Sequence, residues 1–194
     1  MKNEKIIDDV LKFAKKLIGT PRGRCWKTYK LSSNTSPFWA SDDPLPSISV
    51  LKKEGTVCSG FANLMRRKAG LSVLVLEKDP KKVLGGTGAW FSYLKKKKRL
   101  QELDIKKSYP KGTLLLRDYN PYDDGHVAVI YKENKKGVLL SSLIHSVGWD
   151  DGSNQKIIKI DASVGQSYFA QYDGIINTGH YTHICLPENW LLKE

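Results

Sequence analysis

Three side chains in this sequence are suited by type and place to work on one bond: Cys58, His126 and His145. Cys58 lies in Gly55-Thr56-Val57-Cys58-Ser59-Gly60-Phe61-Ala62-Asn63-Leu64-Met65-Arg66-Arg67. Here a glycine and a small turn lead into a helical pattern with Phe61, Leu64 and Met65 on one stripe, so the cysteine falls at or beside the first helical position. The free N–H groups and positive dipole end of a helix stabilise a thiolate, which can bring a thiol from about 8.5 down to roughly 3.5 to 7.5. The amides of Cys58 and Ser59 are then candidates for an oxyanion hole. The competing reading is a small apolar residue packed at a helix start, since buried free cysteine is common.

His126 opens the β-branched run His126-Val127-Ala128-Val129-Ile130-Tyr131. The tip Glu133-Asn134-Lys135-Lys136-Gly137 turns the chain back into a return strand, Val138 to Ser146, with His145 near its end. An early position on one strand and a late position on its antiparallel neighbour lie at the same sheet edge, which makes the two histidines neighbours. A lone histidine is more often structural than catalytic; two beside a helix-start cysteine shift that balance. The chemistry needing this set is nucleophilic acyl transfer, with Cys58 as nucleophile, His126 as base and His145 orienting the base. Metal binding by His126 and His145 competes. It wants a third ligand, and although Asp123 and Asp124 are near in sequence, no HxH or HExxH spacing occurs, so no metal or other cofactor is expected.

The elements that must hold these residues read as α+β, with helices first and strands after. Ile6, Ile7, Val10, Leu11, Ala14, Leu17 and Ile18 recur at three- and four-residue steps, predicting a helix from Asn3 to Ile18, ended by Gly19-Thr20-Pro21. Arg22 to Val50 is irregular and dense in aromatics, either a binding loop or lid, with Trp26, Tyr29 and Trp39 as candidate substrate contacts, or a satellite apolar cluster. Gly85-Gly86-Thr87-Gly88 lacks the lysine and hydroxyl of a phosphate loop and reads as a flexible connector, followed by a basic helix from Ala89 to Leu103. Strands are expected at Gly112–Arg117, Lys156–Asp161 and Tyr181–Leu186, and a short helix at Val164–Tyr172; His180, His183 and Cys185 read as structural.

At 194 residues, with 40% apolar and 10% aromatic residues, the chain is expected to form a single domain, 1–194. The net charge of +12 suits polyanionic surroundings, and the run Lys95-Lys96-Lys97-Lys98-Arg99 is either a polyanion patch or, as is commoner, a solvated face. Three cysteines, Cys25, Cys58 and Cys185, with no CxxC spacing fit a reducing intracellular compartment. No signal peptide and no membrane span is expected from the apolar patterning.

In order along the chain, Gly19-Thr20-Pro21, Cys58-Ser59-Gly60-Phe61, Lys111-Gly112-Thr113-Leu114-Leu115, Gly125-His126-Val127-Ala128-Val129-Ile130-Tyr131 and Ile144-His145-Ser146 resemble the NlpC-type cell-wall cysteine peptidases of the papain-like superfamily. The resemblance runs from about Ile6 to Ser146. It implies helices packed on a central antiparallel sheet, and cleavage of an amide bond in a peptidoglycan peptide by an endopeptidase or amidase, without cofactor. Val57 stands where that family usually has Asp, Arg22 where it has Tyr, and Thr113 where it has Asp, and the interval from His126 to His145 is long. The catalytic set maps onto the family, and the substrate-recognition groups do not. The chain looks like outlying members from intracellular sources such as large DNA viruses or unicellular eukaryotes, which implies a cytoplasmic or virion-associated protein. Two other expectations stay open: a catalytically idle basic module of the same fold that holds a polyanion, and a related thiol enzyme of acyltransferase or deubiquitinase type.

Overall fold

The structure, a computed structural model, describes residues 2–21, 23, 37–74, 84–118, 125–138, 141–147, 156–161 and 181–191. Among these are five helices: α1 (Lys2–Lys16), α2 (Ile48–Glu54), α3 (Cys58–Lys68), α4 (Thr87–Lys96) and α5 (Pro187–Trp190). The strands are β1 (Gln101–Glu102), β2 (Leu114–Arg117), β3 (His126–Lys132), β4 (Ser142–Val147), β5 (Lys156–Asp161) and β6 (His183–Cys185), in one sheet of order β1-β6-β2-β3-β4-β5. All its pairings are antiparallel, so the fold is α+β, helices against an antiparallel sheet.

Period-two alternation divides the strand side chains between two apolar layers. Leu114, Leu116, Val127, Val129 and Ile144 join Leu11 and Ala14 of α1, Leu17 in the turn after it, Phe61, Leu64 and Met65 of α3, and Trp90 and Leu94 of α4. Leu115, Ala128, Ile130, Leu143 and Ile184 face the other way, against Tyr109, Val138 and Tyr181. With both faces covered, β3 is apolar without a break from Val127 to Ile130, and cutting the fully buried Ile130 to alanine costs roughly 2–5 kcal/mol.

Three expectations need correcting. The irregular stretch read to Val50 gives way at Ile48 to α2, whose N-cap is the Ser47 hydroxyl, accepting from the Val50 N–H. The basic helix begins two residues early, at Thr87, and stops at Lys96. Lys98 takes φ 54, and the Arg99 N–H donates to the Leu94 carbonyl at 2.9 Å, closing the helix without the glycine that usually signals this ending. Beyond it the chain becomes β1 where helix was expected.

The return strand begins later than the sequence suggests. The Val138 N–H donates to the Lys107 carbonyl and the Asn134 N–H to the Ser141 hydroxyl, and a register shift between Ile130 and Lys132 delays pairing to Ser142. β6, the last strand in sequence, lies between β1 and β2. Arg22, Cys25, Trp26, Tyr29, Asp123, Asp124, the Val164–Tyr172 helix and His180 lie outside the described residues.

Candidate active site

Cys58 opens α3 because of what precedes it. Gly55, at φ 80, ends α2, and the Thr56 N–H donates to the Pro21 carbonyl while the Gly23 N–H donates to the Thr56 carbonyl. Thr56 and Val57 are thereby pinned to two neighbouring segments, the Thr56 hydroxyl and the Val57 N–H both donating to the Pro37 carbonyl. Gly60 makes this possible: a Cβ there would stand 2.2 Å from the Pro37 oxygen and 2.4 Å from the Thr56 hydroxyl. Val57 is the N-cap and supplies no side-chain hydrogen bond, which leaves first-turn N–H groups to face the sulfur.

The Cys58 sulfur has the Thr87 hydroxyl 3.6 Å away, and the N–H groups of Val127, Ser59 and Cys58 also face it. Burial nevertheless raises the thiol above its ordinary value, outweighing those four contacts. The expectation of a thiol lowered by the helix start is therefore corrected: the half-buried cysteine rests as the neutral thiol, because losing water costs the thiolate more than the helix end returns.

The two histidines do meet. His145 is the cross-strand partner of Ala128, so His126, two residues before Ala128, shares its face one diagonal step away. His126 Nε2 lies 3.1 Å from His145 Nδ1, with ring centroids 5.3 Å apart and planes at 73°. Gly125, at φ 70, turns the chain immediately before His126, a conformation that strains any residue with a Cβ. Burial pushes His145 down to about 4, so it is neutral at physiological pH, and its Nε2 has no hydrogen-bond partner among the described residues. The Cys58 sulfur faces the Val127 N–H, one residue along the chain from His126, and its hydrogen-bonding side chain among the described residues is Thr87.

Three residues that sequence reasoning passed over complete the site. Tyr181, taken only as the start of a strand, is buried with its hydroxyl 3.0 Å from His145 Nδ1 and its ring centroid 5.8 Å from that of His126. It is carried there by the lead into β6, where the Thr182 N–H donates to the Leu116 carbonyl at 2.9 Å. Thr87 stands in the first turn of α4, so two helix starts converge on one sulfur.

Asn63 fixes that convergence. Fully buried, it donates to the carbonyls of Phe38 at 2.7 Å and Gly85 at 3.0 Å, and accepts from the Trp90 indole at 2.7 Å, tying α3 to the start of α4. Asn63 lies on the helix side opposite the stripe of Phe61, Leu64 and Met65, where a polar residue reads as solvent-facing, so the sequence carried no signal for it. Tyr181, far along the chain, offered none.

Trp39 is 1% exposed and donates its indole N–H to the Gly55 carbonyl, which places it in the core supporting the Cys58 turn, with no face open to a substrate. Cys185 is core, its thiol pushed by burial up to about 12, and the His183 ring sits edge-on to Phe91 at 4.9 Å. Among the described residues no three His, Cys, Asp or Glu side chains converge as a metal site, and no helix is long and apolar enough to cross a membrane. Compared with models of known protein families the chain matches none, and no curated protein matches it.

Proposed function

We propose that the chain is a cysteine hydrolase of divergent NlpC-type, papain-like fold that cleaves an amide bond, by resemblance one in a cell-wall peptide. One observation supports the reading above others: a cysteine in the first turn of a helix faces the backbone beside His126, whose Nε2 is 3.1 Å from a neutral second histidine. With Nε2 engaged by His145, Nδ1 of His126 takes the thiol proton as sulfur attacks the amide carbonyl. The Cys58 and Ser59 amides meet the developing oxyanion. His126 returns the proton to the departing amine, leaving a thioester. Water then adds with His126 again as base, and the acid and the thiol are released. Neutral His145 accepts from the Nε2–H of the imidazolium throughout.

The test is hydrolysis of peptidoglycan-derived peptides, followed by mass spectrometry of the new amine. Wild type should cleave and accumulate a thioester adduct on Cys58 at early times, and Cys58→Ala should do neither. Equal activity in Cys58→Ser and wild type would remove the thiol from the mechanism. A thioester formed but passed to an added amine or hydroxyl would move the protein to the transferase reading.

A second reading has its own support. The loop after β1 and the β3–β4 tip are joined by the Val138 N–H to Lys107 carbonyl bond at 2.8 Å and the Ser108 hydroxyl to Asn134 carbonyl bond at 2.8 Å. Lys106, Lys107, Lys135 and Lys136 are thereby gathered in one exposed region. A basic module would bind heparin or duplex DNA steeply less well as salt rises, equally in wild type and Cys58→Ala.

A further inference from the structure

His145 Nδ1 carries either one proton or one lone pair, and as a lone pair it can be shared in a three-centre bond by the two groups that approach it, His126 Nε2 at 3.1 Å and the Tyr181 hydroxyl at 3.0 Å. Left to the two histidines alone, the cheaper arrangement puts the His145 proton on Nδ1. The opposite tautomer buries an unpartnered Nε2–H, and orphaned N–H groups are worse tolerated than orphaned acceptors. That cheaper arrangement makes His126 Nε2 an acceptor, moves the His126 proton to Nδ1, and leaves it unable to take a proton from Cys58 there.

We propose that Tyr181 is a positioning residue that reverses this preference: its hydroxyl donates to His145 Nδ1, holds His145 as the Nε2–H tautomer, and so keeps the His126 proton on Nε2 and its Nδ1 basic. The inference deepens the hydrolase reading and rests on it for its catalytic meaning. Two features give the phenol its direction. Burial raises Tyr181 far above its ordinary value, so it is always a donor-bearing phenol. The cationic Arg117 acts on the same hydroxyl and opposes the shift, and a nearby cation favours the phenol dipole with its oxygen toward the charge and its O–H turned away. The tilted Tyr181 ring, at 37° to that of His126, covers the pair from the side.

Long-range proton–nitrogen NMR of the histidine rings, which distinguishes protonated from lone-pair nitrogens, tests this without any substrate. In wild type both His126 and His145 should carry the proton on Nε2, with a coupling across the hydrogen bond from the Tyr181 hydroxyl to His145 Nδ1. Tyr181→Phe should move the His145 proton to Nδ1 and slow alkylation of Cys58 by iodoacetamide about ten-fold, the scale of one lost hydrogen bond. A loss of packing alone would change neither nitrogen signature. An Nδ1-protonated His145 in wild type overturns the inference, as does a Tyr181→Phe protein with tautomer and alkylation rate unchanged. If Tyr181→Phe does not fold, the wild-type tautomer and coupling decide by themselves. Tautomers as described, in a protein whose Cys58 is alkylated no faster than in the unfolded chain, support the positioning role and count against the hydrolase reading instead.

Discussion

Replacing Asn63 by alanine removes three hydrogen bonds from the joint between the two helix starts at Cys58. The indole N–H of Trp90, on a ring with no exposure, is left without its 2.7 Å acceptor, and an orphaned buried donor costs about 1–3 kcal/mol. The carbonyls of Phe38 and Gly85 lose their donors at 2.7 and 3.0 Å, a smaller penalty because a carbonyl tolerates under-satisfaction better. Together these give a destabilisation of about 3 kcal/mol. For a chain of 194 residues the unfolding entropy is roughly 0.4 kcal/mol per degree, so Tm should fall by about 7 °C.

Thermal melts followed by circular dichroism measure that fall. Alkylation of Cys58 should slow in the same variant, because Thr87 is no longer held at the sulfur. Asn63→Asp sharpens the test: ionised, it places a carboxylate oxygen against two carbonyls, so its folded-state pKa must rise. It should therefore approach wild-type stability at acid pH, and lose ground as pH climbs through the raised value. A Tm change under about 2 °C in Asn63→Ala would refute the clamp.

His145 predicts an acid limb of stability. Its value falls from 6.5 to about 4 on folding, so between these values the unfolded chain binds the proton first; stability is full above 6.5 and is lost on descent to 4, in total about 3 kcal/mol. Urea midpoints for wild type and His145→Gln at several pH values in that window should converge as pH falls, and parallel lines would show that His145 does not carry the effect. Thr87→Val keeps the shape and removes the hydroxyl 3.6 Å from the sulfur, so Tm should hold while Cys58 alkylation near neutral pH slows about ten-fold; equal rates would leave that contact without consequence. Gly60→Ala gains helix propensity of about 1 kcal/mol yet should destabilise by roughly 2 kcal/mol or more, because its Cβ meets the Pro37 backbone at 2.2 Å; a raised melting temperature would contradict that packing.

The sequence by itself determined the local devices. Apolar spacing gave α1 and the stripe of α3, β-branched density gave β3, and the glycine turn before Cys58 placed it at a helix start, since each depends on neighbours within a turn or a strand. The antiparallel hairpin sufficed to bring His126 and His145 to one sheet edge, whereas their shared face rests on the Ala128–His145 register, which a one-residue slip would reverse. What the tertiary structure alone decided was everything set by segments distant in sequence: β6 inserting beside β2 and bringing Tyr181 to His145, Asn63 reaching Gly85 and Trp90 so that Thr87 faces the sulfur, and Trp39 turning into the core. It also reversed the direction of the thiol, because a helix dipole can be read from a sequence, whereas the desolvation that overrides it belongs to the packed site around Cys58.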